Sequence, residues 1–229
     1  MEMVATNKLQ DFSKTFATHI FPFYKKHEET FDVDGIHGIL HIGRSLVASY
    51  ILSKKCEDFG LPVNTMDILI ATAFHDSGRK SGGVDYWESF SAQNCVDFLT
   101  LWGETLRTSK PEEVASMITK KEWLKNGVYS HPKLNDFMCV HDSDVLEIMR
   151  PCCGRGGRSS FEVSRLLFYN TEFEFYKYYG KLINEWAQFI LDTEEIKKEL
   201  STTDCIDKLL VFIDERKENY PIIYSSLNN

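Results

Sequence analysis

Three short stretches, far apart in the chain, concentrate side chains able to act on a phosphoester. They read I-H-G-I-L-H-I-G-R at 36–44, F-H-D-S-G-R at 74–79 and V-H-D-S-D at 140–144. Between them they hold four of the seven histidines (His37, His41, His75 and His141), together with Arg44, Asp76, Arg79 and Asp142. Imidazole suits this chemistry because it is nucleophilic when neutral and exchanges protons near neutral pH. Arg44, Arg79 and Arg150 are candidate phosphate clamps, since a guanidinium binds such oxygens through paired N–H donors.

These residues matter only if the chain brings them together. Positions four apart share one face of a helix, so His37 and His41 aim into a common pocket if their helix begins early enough, with Arg44 one turn further on. Met66 to Phe74 is too apolar for a surface helix and is expected to be a buried one, which delivers His75 and Asp76 at its end. A lone histidine on an apolar helix is usually a satisfied core residue. An ionisable pair closing a buried helix is different, because it costs several kcal/mol unless partnered. Several such buried groups in separate elements mark a functional-site candidate.

The remaining elements follow from apolar spacing and breakers. Leu9, Phe12, Phe16, Ile20 and Phe23 recur at helical intervals and predict an outer helix over Lys8 to Phe23, ending near Pro22. Asp32 to Gly38 reads as a loop, and helical spacing resumes from Leu40 through Ile51. The Gly- and Ser-rich Ser77 to Tyr86 is a loop in which glycine lets backbone approach a ligand closely, and Trp87 to Leu106 is again helical. Pro111 with Glu112 and Glu113 opens a helix running to about Trp123. The segment 151–160, PCCGRGGRSS, is a loop before a long aromatic helix beginning near Phe161. No strand-like alternation of useful length appears apart from a short piece near Val128 to Tyr129. The expectation is an all-α fold in one domain over 1–229, with the motifs in a core at 36–150 and a C-terminal helical scaffold at 160–219.

Composition narrows the partners. With 34 acidic residues against 26 basic ones and a net charge of −8, a nucleic-acid polymer is a poor partner, whereas a compact nucleotide-like ligand or a protein surface stays open. Cys56, Cys95, Cys139, Cys152, Cys153 and Cys205 are scattered and form no C-x-x-C pair, so they read as reduced thiols of an intracellular chain. Neither a signal peptide nor an 18-residue apolar span is expected. The aromatic run Phe173 to Tyr179 reads as packing, and His19, His27 and His131 as surface or structural residues.

An early histidine, an adjacent His-Asp pair and a late aspartate resemble the HD phosphohydrolase pattern, with His41, His75, Asp76 and Asp142 in those places. More specifically, the three motifs, with G-V-D-Y-W-E-S-F-S-A-Q at 83–93, look like the phosphodiesterase domain of the SidE-type Legionella effectors over Ile36 to Arg150. That resemblance implies a metal-independent, cofactor-free phosphodiesterase acting on ADP-ribosylated or phosphoribosyl-linked ubiquitin, in a secreted effector working in the host cytoplasm. It implies that His37 attacks phosphorus and forms a transient phosphoramidate, and that His141 is the general acid and base. His41, Arg44, His75, Asp76, Arg79, Glu88, Asp142 and Arg150 would line the substrate site.

One position departs from the pattern. Gln93 stands where the family has a catalytic glutamate, and an amide orients a histidine without balancing its charge. Glu88 is a poor substitute, because five positions along a helix turn it about 140° away. Three expectations follow: a SidE-like phosphodiesterase, a metal-dependent HD nucleotide phosphohydrolase, or a module that binds ADP-ribose or ubiquitin with weakened turnover.

Overall fold

The structure is a computed structural model that describes residues 5–30, 37–80, 87–120, 133–148 and 173–228. Among these residues every regular element is a helix, and the architecture is all-α as expected. Val128 to Tyr129, Arg150, the 151–160 segment with Cys152 and Cys153, and the expected helix start near Phe161 lie outside them.

The N-terminal layer shows how a proline can be absorbed. Helix α1 (Ala5–Thr15) runs through a π-helical turn (Phe16–Ile20) into α2 (Phe21–Thr30), so Pro22 does not end the helix as its residue type suggested. Pro22 lacks an N–H and its ring crowds the carbonyl four residues back. The wider turn, in which Phe21 N–H reaches back to Phe16 O, shifts the register just ahead of it. Phe12, Phe16, Ile20 and Tyr24 are buried along this layer, and the Tyr24 hydroxyl donates to Ala73 O at 2.5 Å.

The centre is built by α3 (Ile39–Asp58) and α4 (Thr65–Phe74). Helix α3 packs against α4 and α7 (Leu134–Ile148), and from the C-terminal part against α10 (Cys205–Glu215) and α11 (Pro221–Asn228). Being surrounded in this way, it buries polar as well as apolar positions, from Ile39 to Ser53 without a break. Helix α4 starts at Asn64, whose side-chain oxygen accepts from Asp67 N–H. Nearly all of it is buried, which accounts for a sequence apolar on every face.

Gly78 follows the α4 turn and meets helix α5 (Glu88–Leu106), itself packed on α6 (Pro111–Lys120). A Cβ on Gly78 would lie 2.5 Å from Ser91 N and 2.6 Å from Phe90 Cβ. Its N–H donates to Ser91 Oγ at 2.9 Å. The glycine thus serves a close approach of turn to helix, where a close approach to ligand was expected.

The C-terminal helices are α8 (Phe173–Glu195), α9 (Lys197–Leu200), α10 and α11. They cap the core with Tyr179, Trp186, Phe189, Phe212 and Tyr220. Trp186, Thr193 and Glu194 of α8 also bond to Glu147 and Arg44. The cysteines among the described residues, Cys56, Cys95, Cys139 and Cys205, are free and buried. His19 stacks on Trp102 at 4.1 Å between ring centroids, a structural role as anticipated. None of the described helices is long and apolar enough to cross a membrane.

Candidate active site

His41 sits in the first turn of α3, His75 and Asp76 in the turn that ends α4, and Asp144 in α7. The Nε2 atoms of His41 and His75 are 3.2 Å apart. Asp76 Oδ2 lies 3.4 Å from the first and 3.5 Å from the second. Asp144 Oδ1 lies 3.7 and 3.4 Å from the same two nitrogens. His37, just ahead of α3, puts Nδ1 2.9 Å from Asp76 Oδ2 and its ring edge-on to His41. The His37 side chain is 20% exposed, against 3% for His41 and 1% for His75, so His37 stands at the mouth of the cluster.

The hydrogen bonds fix protons. His75 Nδ1 is 2.7 Å from Thr72 O, and a carbonyl only accepts, so Nδ1 carries a hydrogen. Burial alone would push the Asp76 carboxyl up. The charge of His75 and the hydrogen bonds from His37 and His41 prevail, and hold it well below the usual carboxylate range. Asp76 is therefore an anion ringed by imidazoles.

The other residues singled out in the sequence fall in three environments. Arg79 is buried beside the cluster, with Nε 3.8 Å from Asp76 Oδ1. Arg44 is fully buried and committed to protein carboxylates, Nε to Glu147 Oε2 at 2.8 Å and an Nη to Glu194 Oε1 at 3.0 Å, so it is not a phosphate clamp. His141 is buried and its Nδ1 contacts its neighbour Asp142 Oδ1 at 2.9 Å.

Asp142 does not face His41 and His75; Asp144 does. On α7 these two differ by about 200°, so only one can face His41 and His75. Asp142 turns instead toward Tyr179 of α8, and burial raises its pKa against the lowering effect of His141. Gln93 is exposed on α5 and donates to Asp97 Oδ1 at 2.8 Å, so the amide is engaged on the helix surface. Glu88 is half-buried in the first turn of α5, and Arg150 lies outside the described residues. Sequence reasoning missed Asp144 and Glu147, although i, i+3 spacing from His141 through Asp144 to Glu147 was there to be read.

The donor set fits a divalent cation. Two groups, His37 with His41 and Asp76, and His41 with His75 and Asp144, each bring ligand atoms within 4.8 Å of one another. Two imidazole nitrogens with two carboxylates suit a first-row transition metal. The separations of 3.2 to 3.7 Å around His41 Nε2 match ligands spread about a common centre at ordinary bond lengths of roughly 2.1 Å. No family model matches the sequence, and neither curated proteins nor solved structures give a match.

Proposed function

We propose that this chain is a phosphodiesterase in which His37, oriented by Asp76, is the nucleophile. Its substrate is a phosphodiester of ADP-ribosylated or phosphoribosyl-linked ubiquitin, as in the SidE-type domains its motifs resemble, and its setting that of an effector in a host cytoplasm. The observation that carries this reading is the 2.9 Å contact between His37 Nδ1 and the Asp76 carboxylate at the open edge of the cluster. A carboxylate there keeps the proton on Nδ1 and the lone pair on Nε2, the logic by which an aspartate orients a catalytic histidine. Nε2 then forms a bond to phosphorus as the bond to the leaving oxygen breaks, and water later cleaves the P–N bond. The leaving oxygen needs a proton, and His141 is the residue assigned to supply it; its Nε2 is buried with no hydrogen-bond partner among the described residues. Arg79 stabilises the charge on the phosphoryl oxygens.

Asp76 also bears on the Gln93 question. With an anionic carboxylate already on His37, the glutamate missing at position 93 is not needed to orient that ring, which argues for an enzyme over a binding module.

A second reading rests on a separate observation, the convergence of the His41 and His75 Nε2 atoms with Asp76 and Asp144. These four residues would hold a divalent cation, which supplies Lewis-acid polarisation of a phosphoester in a nucleotide-like small molecule. Incubation with ADP-ribosylated ubiquitin and with simple nucleotides, each with and without EDTA, separates the two. Cleavage that survives chelation, disappears in His37→Ala and leaves phosphohistidine in a rapid quench supports the first reading. Loss with EDTA and recovery with Mn²⁺ supports the second, and an unchanged rate in His37→Ala removes that residue from the mechanism.

A further inference from the structure

We infer that Glu147 is a positioning residue for His41: its carboxylate fixes a proton on His41 Nδ1, so that Nε2 is the nitrogen turned to the reaction centre. The inference rests on the reading of the cluster as that centre, and holds with or without a cation there. Glu147 is fully buried, one turn beyond Asp144 on α7. The two carboxylates clasp one ring, Asp144 Oδ1 at 3.7 Å from Nε2 and Glu147 Oε2 at 3.6 Å from Nδ1.

His41 Nδ1 is buried and makes no hydrogen bond within 3.5 Å. A bare nitrogen lone pair facing an anionic oxygen in a dry interior is repulsive, whereas an N–H there is attracted and closes the gap with a shift of a few tenths of an ångström. Glu147 is held as that anion by Arg44 Nε, which donates to Oε2 at 2.8 Å, and by Trp186 Nε1, which donates to Oε1 at 3.2 Å. Arg44 is anchored in turn by Thr193 Oγ1 at 3.2 Å and by Glu194. Trp186, Thr193 and Glu194 all belong to α8, so the C-terminal helix sets the orientation of a histidine on α3. This is the arrangement in which a partner on the far ring nitrogen selects the tautomer of a working imidazole.

Side-chain ¹⁵N NMR of the full chain reads this directly, with and without EDTA, the His41 signals being assigned by their loss in His41→Gln. A protonated Nδ1 on His41 in both conditions is the expected result. In the paired variant Arg44→Met with Glu147→Met, which removes the buried charges together, that proton should leave Nδ1. The kcat should then fall about 10- to 100-fold with little change in KM, as for other lost outer partners, while the His75 Nδ1 signal stays in place as the control for folding. An unprotonated Nδ1 in the wild-type spectrum overturns the inference whatever the variants do. So does a folded paired variant with unchanged kcat. No turnover by the wild type, with the Nδ1 proton in place, would sink the proposed reaction and leave the tautomer assignment supported.

Discussion

Arg44 and Glu147, 103 positions apart, form a 2.8 Å ion pair with no solvent exposure on either side chain. The pair joins α3 to α7 at the level of the histidine cluster. Removing one partner leaves a buried charge uncompensated, which typically costs about 3–5 kcal/mol, whereas removing both for apolar groups of similar size is often near neutral. Arg44→Met alone should therefore lower stability by about 3–5 kcal/mol, and Glu147→Met should restore most of it. Urea denaturation of the single and paired variants measures this, and strictly additive losses would show that the two residues do not act as a unit.

Asp76 and Gln93 compete for the role of orienting His37, and the structure separates them. Asp76 contacts His37, whereas Gln93 bonds to Asp97 on the outside of α5. Asp76→Asn should lower turnover of the ubiquitin adduct by on the order of 10²- to 10⁴-fold, the range seen when an orienting carboxylate or a general acid–base group is lost. Gln93→Glu should leave it within a few-fold. A large gain from Gln93→Glu would return the orienting role to position 93.

Gly78 has backbone neighbours that leave no room for a side chain. The atoms that a Cβ would meet include Ser91 N and Phe90 C at 2.5 and 2.7 Å, and backbone cannot swing aside as a flexible side chain can. Gly78→Ala should cost about 1–3 kcal/mol as overpacking. It should also lower turnover, since the displaced turn carries His75 and Asp76. Thermal melts and rates on the same preparation test this, and a wild-type Tm would mean that α5 gives way freely.

Asp136 opens α7 and accepts from Asn64 N–H at 3.0 Å. Burial, with Asp67 nearby, pushes its carboxyl up from 3.8 to about 6 against the lowering effects of that hydrogen bond and of Lys133. The folded state thus binds this proton more tightly than the unfolded chain does. Its contribution is fully present below pH 4 and is lost as pH rises toward 6. Asp136→Asn keeps an acceptor for Asn64 and removes the titration, so its stability relative to wild type should rise between pH 4 and pH 7. Parallel denaturation midpoints across that range would contradict the assignment.

Much of this molecule can be read from its residues. The apolar run Met66–Phe74 can only be a buried helix, and it announces that His75 and Asp76 emerge in the interior, where ionisable groups need partners. The period of apolar positions likewise defines α5 and the start of α3, whose end at Asp58 lies well past the expected Ile51. What periodicity does not contain is the partner that each face meets. Asp142 and Asp144 are equivalent in the sequence, and only the rotation of α7 between α3 and α8 sends one to the histidines and the other toward Tyr179. Arg44 carries the fork of a phosphate ligand, but Glu147 and Glu194 reach it first, brought there by helices more than 100 positions away. Pro22 reads as a stop because local sterics oppose it, and a π turn supported by the packing of Phe16 and Ile20 carries the helix past it. Local sequence set which atoms could do chemistry, and long-range packing decided which of them meet, because a side chain's direction is fixed by the face its helix buries and that face is chosen by the rest of the fold.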